Sequence, residues 1–370
     1  MMLMRSLFPI LLLAGLPGGC KTPQVDAKRS EWSILPNAYA THFSILSNGK
    51  EHRLIVLGHG GIGDTVGDYL ISKPMQRIAI ISTTHAAFIS ALGATDRVIA
   101  CAQAGEVRDE ALRKSIDAGR VKNIGTTDQL DREMLLSLKP DAVLGYPFGG
   151  ESSTLKNLGI PVMQISEYLE EHPLGRAEWI RFFGVLLGKE QEADERFANI
   201  MRQYEVVRGA VERDKMPTVL FGSVWQGQWF VPPGNSYMAK LIEDAGGRYL
   251  FADRKGDGNI TLDMETMIAE GSQADVWGMI TQYNGEVTPS LFTGGDERLE
   301  AFKAVRTGRL FIGNSVVSDL FGQAALEPEQ VLRDLACRIQ PVTCTSDAPM
   351  GHYFSGVGAK PGARMKWWPQ

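Results

Sequence analysis

Residues able to carry chemistry are dispersed along this 370-residue chain, not gathered into motifs. The six histidines, at positions 42, 52, 59, 85, 172 and 352, make no H-x-H or H-x-x-x-H pair. A metal site needs convergent His, Cys or carboxylate ligands. Only His85, Glu167 and His172 stand as a set that a fold could bring together. No G-x-S-x-G elbow is present and no acid/base pair stands out, so an enzyme reading lacks a visible nucleophile. Gly58-His59-Gly60-Gly61-Ile62-Gly63 satisfies G-x-G-x-x-G. A dinucleotide site also needs a helix starting there and an acidic residue ending the next strand. Asp64–Asp68 is a poor helix start and no acidic residue closes Arg77–Ser82, so that reading is set aside. What remains suits recognition: the aromatic residues Tyr146, Phe148, Trp225, Trp229 and Tyr237, and the basic pair Arg254-Lys255. Aromatic walls give broad contact at low entropic cost, and the basic pair would suit carboxylate or catecholate groups.

These residues hang on alternating elements. Buried-strand patterns at Ile78–Ser82, Arg97–Cys101, Ala142–Tyr146 and Val162–Ile165 alternate with helical patterns at His85–Leu92, Arg108–Ala118, Arg132–Leu138 and Ser152–Leu158. Such alternation predicts an α/β lobe with a mostly parallel sheet. From Leu174 to about Val211 no strand appears, and one long helix is expected, bent near Gly188. A second alternating region follows, with strands at Thr218–Gly222, Gln228–Val231, Asp275–Ile280 and Arg309–Gly313. Its helices are expected at Ser236–Ala245, Asp263–Glu270 and Pro328–Ile339. The fold class is therefore α/β, with two Rossmann-like lobes joined by a long rigid helix. A faint repeat supports it: Glu133–Asp141 and Glu265–Asp275 are each a short helix feeding an apolar strand. Ahead of the first lobe, His42–Leu46 and Arg53–Leu57 flank Asn48-Gly49, a hairpin signal.

The expected division is 1–19 signal peptide, 20–37 tether, 38–173 first lobe with its leading hairpin, 174–213 linking helix, 214–345 second lobe and 346–370 tail. Arg5 followed by an apolar run from Leu7 to Leu16 is a secretory pattern, too short to span a bilayer. Pro17-Gly18-Gly19-Cys20 resembles a lipobox, which would make Cys20 the lipidated residue; ordinary cleavage with Cys20 as bystander is the alternative. Export permits a disulfide between Cys337 and Cys344, while Cys101 closes an apolar run as a buried thiol. The chain is 44% hydrophobic, which excludes disorder. With 38 basic against 43 acidic residues there is no basic excess to meet nucleic acid.

In open α/β sheets ligands bind beyond the carboxyl ends of the strands. The loops there nominate Thr84 and His85, Tyr146 and Phe148, and Glu167 in the first lobe. In the second they nominate Trp225, Trp229, Tyr237 and Arg254. Trp225 and Trp229 are four apart and are equally compatible with core packing. His85 stands at a helix start and suits capping or packing, and Arg254 sits in a glycine-rich loop and suits solvent.

Arg77–His85 with Leu92-Gly93, Asn123-Ile124-Gly125, Leu138-Lys139-Pro140-Asp141 and Leu158–Val162 lie in a telling order. With Ser236-Tyr237-Met238 and Ala245-Gly246-Gly247, the chain resembles the helical-backbone substrate-binding proteins of ABC importers, which serve ferric siderophores, cobalamin and haem. The stretch Glu167–Trp179 resembles a lipoprotein branch common in Bacteroidetes-type bacteria. The resemblance implies a ligand cleft between the lobes and little hinge motion. It also implies docking, through Glu133 and Glu265, on a permease dimer with its ATPase. The expected protein is a monomer without cofactor, held to the membrane only by its lipid anchor. It captures a ferric siderophore, with cobalamin or haem next. A metal-ion binder of the zinc/manganese import class and a secreted enzyme using the same cleft are the alternatives.

Overall fold

The computed structural model describes residues 32–146, 151–341 and 351–357. The chain begins with an antiparallel sheet of four strands in sequential order: β1 (Ser33–Leu35), β2 (Phe43–Ser47), β3 (His52–Leu57) and β4 (Thr65–Ile71). The expected hairpin is thus the centre of a larger sheet. The end of the expected tether is folded as well, since Ile34 pairs with Leu46. The glycine run Gly58–Gly63 lies in the β3–β4 connection, with no helix of the dinucleotide kind. Asp64 closes that loop, its backbone oxygen accepting from Gly58 N at 2.8 Å and its side chain from Gly60 N at 3.1 Å.

The first lobe follows. Its strands are β5 (Ile78–Ile80), β6 (Val98–Cys101), β7 (Lys122–Asn123), β8 (Ala142–Gly145) and β9 (Val162–Gln164), in the order β9-β8-β5-β6-β7. All of these pairings are parallel. Helices α1 (Thr83–Ala91), α2 (Glu110–Asp117), α3 (Arg132–Leu138) and α4 (Glu151–Asn157) make the crossovers. The four-stranded sheet is tied to this lobe by Tyr69, whose hydroxyl accepts from Gln164 N at 2.7 Å.

The second lobe comprises β10 (Thr218–Phe221), β11 (Ser223–Trp225), β12 (Gln228–Val231), α7 (Tyr237–Asp244), β13 (Arg248–Tyr249), β14 (Ile260–Leu262), α8 (Met264–Gly271), β15 (Val276–Thr281), β16 (Leu310–Asn314), α9 (Pro328–Ile339) and β17 (Phe354–Gly356). Its main sheet runs β13-β10-β15-β16-β17. With the two-residue edge strand β7 left out, the first lobe's strands lie in the spatial order second, first, third, fourth, as do the first four of the second lobe's main sheet. The faint sequence repeat is therefore a real structural one. Asp141 accepts from Gln76 N and Arg77 N at 2.7 and 2.9 Å, and Asp275 accepts from Thr218 N at 2.8 Å. Each carboxylate enters its third strand and ties down the start of the first. Residues 354–356, expected in a tail, instead add an antiparallel edge strand.

The linking segment differs from expectation. It forms two helices, α5 (Pro173–Leu187) and α6 (Glu190–Gly209), folded back on each other. Arg181 pairs with Asp194 at 2.7 Å, and the rings of His172 and Tyr204 lie 6.3 Å apart, as an antiparallel hairpin requires. Gly188 makes the reversal in the left-handed region at φ 61°, where a side chain is strained. Gly184 permits the close approach, because a Cβ there would come within 2.6 Å of Ala193 Cβ. The 20-residue α6 spans about 30 Å. It packs on α9 as well as α5, and the Tyr204 hydroxyl reaches Asp244 at 2.8 Å.

Candidate functional site

Between the lobes lies a cleft of about 760 Å³. The second lobe lines it with Phe221, Phe230, Asn235, Tyr237 and Asp257 among others, the first lobe with Tyr168 and Glu171, and the start of α5 with Arg176. The four-stranded sheet adds His42 and His59. Cross-lobe contacts frame it. Asn235 Nδ2 donates to Glu171 Oε1 at 2.6 Å, and the Arg176 guanidinium sits 4.5 Å from the Tyr237 ring centroid. On the other side Thr84 Oγ1 donates to Phe321 O at 2.6 Å and Arg108 to Ser315 O at 2.5 Å.

Of the nominated residues that are described, Tyr237 alone is among those lining this cleft. Its helix is started by Ser236, whose hydroxyl accepts from Ala239 N. Thr84 bridges to the cleft wall at Phe321. His85 and Glu167 lie in the interior of the first lobe, 0% and 1% exposed, with Nε2 and Oε2 3.9 Å apart. Burial pushes the His85 imidazole down to about 3, which keeps it neutral, and the Glu167 carboxyl up to about 7, so that it keeps its proton in mildly acidic conditions. Tyr146 packs edge-on to Tyr168 at 5.5 Å and bonds Ser82, and burial raises its phenol to about 12. Phe148 lies outside the described residues.

Three of the nominated residues stand away from this cleft. Trp229 is 0% exposed, packed with Trp277 at 5.1 Å and stacked on Phe302 at 6.4 Å. It is core, because β12 turns that face toward α8 and the main sheet. Trp225 is 67% exposed at a hairpin end and does not line the cleft. Arg254 turns away, ion-paired with Glu270 at 2.6 Å over the Phe251 ring. The triple of His85, Glu167 and His172 does not assemble either. His172 caps α5, accepting from Leu174 N, and its ring lies 4.7 Å from Tyr39. No group of three or more metal-ligating side chains gathers among the described residues.

The missed residues are His42, His59, Glu171, Arg176, Asn235 and Asp257. Arg176 and Glu171 stood in the stretch Glu167–Trp179, so a signal existed there. His42 and His59 came from a hairpin with no sequence cue that it would reach the cleft.

Glu133 and Glu265 are both exposed and occupy the same position, second in α3 and in α8. Both helices are capped by an aspartate, Asp131 accepting from Met134 N and Asp263 from Thr266 N. Cys337 is disulfide-bonded, and Cys344, its expected partner, lies outside the described residues, as does Cys20. Cys101 is a free buried thiol, pushed up to about 11 by burial.

Two α/β lobes of matching topology, a helical-hairpin link and a cleft between them make a two-lobed α/β architecture. The chain belongs to the periplasmic binding protein family, whose model matches residues 78–317. It is 28% identical over 289 residues to an uncharacterized lipoprotein of Methanocaldococcus jannaschii, covering 74% of this chain and 67% of that one. Its fold resembles a periplasmic heme-binding protein of Pseudomonas aeruginosa at TM-score 0.59 and 19% identity, covering 78% of this chain and 100% of that one. It also resembles an ABC-type Fe3+-hydroxamate transport protein of Saccharomonospora viridis at TM-score 0.56 and 18% identity, over 73% and 96%.

Proposed function

We propose that this protein is an extracytoplasmic solute-binding lipoprotein, anchored through Cys20, that captures a large metal chelate and delivers it to an ABC importer. A ferric siderophore is the first expectation, with cobalamin and haem next. The observation that carries this reading is the cleft itself. At about 760 Å³ it suits a sizeable ligand, and aromatic residues line it from both lobes. The functions for which the two structures of similar fold are named, haem binding and Fe3+-hydroxamate transport, point to the same ligand class. The lipoprotein name of the archaeal relative agrees with the lipobox-like Cys20. The matched placement of Glu133 and Glu265, one per lobe, supports docking on a permease dimer with its ATPase. Rim charges of this kind set encounter and register more than affinity.

The test is a fluorescence titration of the purified protein with ferric siderophores, cobalamin and haemin. Saturable one-to-one binding by one class is expected. Absence of binding across all three would sink the reading.

A further inference from the structure

The four-stranded sheet of residues 33–71 lies wholly before the region matched by the family model, residues 78–317. Yet it supplies a wall of the cleft. Its two central strands pair Phe43 with Val56, and Leu57 N donates to His42 O at 2.8 Å, so His42 faces Leu57 across the hairpin. His59 follows two residues later, and the Asp64-closed loop carries it to the cleft. His42 is fixed from behind, its backbone N–H donating to Glu170 Oε1 at 2.9 Å. Its Nδ1 is fully buried and has no hydrogen-bond partner among the described residues. The rest of the imidazole is half-buried on the cleft wall, and it is this part of the ring that a ligand edge would meet.

The charge of the cleft is as informative. Arg176 is the one cationic side chain among its described lining residues. That guanidinium is already committed, donating to the backbone oxygens of Glu167 at 3.3 Å and Tyr168 at 2.9 Å while covering Tyr237. Glu170, Glu171 and Asp257 line the same space. Glu170 is occupied by the N–H groups of Thr41 and His42, while Glu171 and Asp257 are exposed. The expected basic pair is absent from the wall, since Arg254 is bound to Glu270 and Lys255 does not line the cleft. A concave site with low-dielectric walls focuses the field of its charges, so this one repels a polyanion.

Resting on the chelate reading above, we propose that the cleft takes uncharged or cationic chelates and rejects polyanionic ones, with His42 and His59 of the appended sheet contacting the ligand. The imidazoles offer hydrogen-bond donors and acceptors without a fixed charge. Glu171 and Asp257 favour a positive or donor-rich ligand edge.

The experiment uses the full chain and three ferric probes: the singly cationic desferrioxamine B complex, an uncharged trishydroxamate and a triply anionic triscatecholate. Affinities are read by calorimetry. The cationic and uncharged complexes are expected to bind at least about tenfold more tightly than the triscatecholate. His59→Ala is expected to weaken the better ligands severalfold with an unchanged melting temperature, as its side chain is exposed. His42→Gln is expected to do the same. His59→Lys is expected to raise triscatecholate affinity. Equal or tighter binding of the triscatecholate by the natural protein overturns the charge selection and leaves the chelate reading standing. Unchanged affinities in both histidine variants overturn the role of the appended wall. Binding of none of the three overturns the proposal, and the titration with cobalamin and haemin then decides the chelate reading beneath it.

Discussion

The Arg176 guanidinium lies 4.5 Å from the centroid of the Tyr237 ring, and through it the start of the linking hairpin grips the second lobe. The same side chain holds the backbone oxygens of Glu167 and Tyr168 in the first lobe. One residue thus ties three parts of the cleft wall. Arg176→Lys keeps the charge and loses the planar fork, so it should cost about 1–2 kcal/mol in unfolding free energy. Hydrogen exchange at Tyr168 and Leu169 should speed up in that variant. Unchanged exchange would mean the loop holds itself.

Two buried carboxylates dock the entering chain on α5. Glu178 accepts from the N–H groups of Ala38, Tyr39 and Ala40, and Glu170 from those of Thr41 and His42 and from the Trp179 indole. Glu178→Gln replaces one accepting oxygen by a donor facing N–H groups. A loss of about 2–3 kcal/mol is expected from charge-assisted bonds to buried donors. Limited proteolysis should then cut before Phe43 faster than in the natural protein; equal rates would refute the clamp.

Glu167 gives the protein a pH-dependent stability. Burial raises its folded-state value from 4.5 to about 7, so the unfolded chain ionises first. The stabilisation from this group is complete below about 4.5 and is lost as pH rises toward about 7. His85 acts in the opposite sense: lowered from 6.5 to about 3, it removes stability as pH falls through that window. Glu167→Gln should therefore gain stability relative to the natural protein as pH is raised from 5 to 7, by up to about 1.4 kcal/mol per pH unit. Denaturant unfolding at both pH values measures the difference. A difference independent of pH would show that Glu167 is ionised throughout.

The two tryptophans that sequence treated alike should separate cleanly. Trp229→Ala removes an indole from a closed aromatic cluster and should cost about 3–5 kcal/mol. Trp225→Ala should change stability by less than about 0.5 kcal/mol, because the indole is exposed. Thermal melts of both variants decide it, and similar losses would contradict the burial.

Reversing Glu133 and Glu265 together, as Glu133→Lys and Glu265→Lys, should impair uptake in cells while leaving ligand affinity intact. Both residues are exposed in the first turn of their helices, so only a modest stability change is expected from the helix dipole. Uptake at the natural rate would remove the docking assignment.

What the sequence determined by itself was the local and the repeated. The main strands and crossover helices of the two lobes followed from periodicity, and the caps Asp131 and Asp263 stand where their helices begin. The two short helix-to-strand units proved to be matching parts of matching lobes, because each is built by contacts close in the chain. Tertiary structure decided what depends on distant partners. The hydrophobic pattern of residues 174–211 reads the same for one long helix or a hairpin; Gly188 and the Gly184–Ala193 contact make the reversal. Whether an indole is core or surface depends on what packs over it, and Phe302 and Trp277 do so for Trp229 and not for Trp225. His42 and His59 reach the cleft only because buried Glu170 and Glu178 pin the entering chain to α5, an interaction spanning well over a hundred residues. No local pattern carries that information, since the energy comes from burying charge against backbone donors far away in sequence.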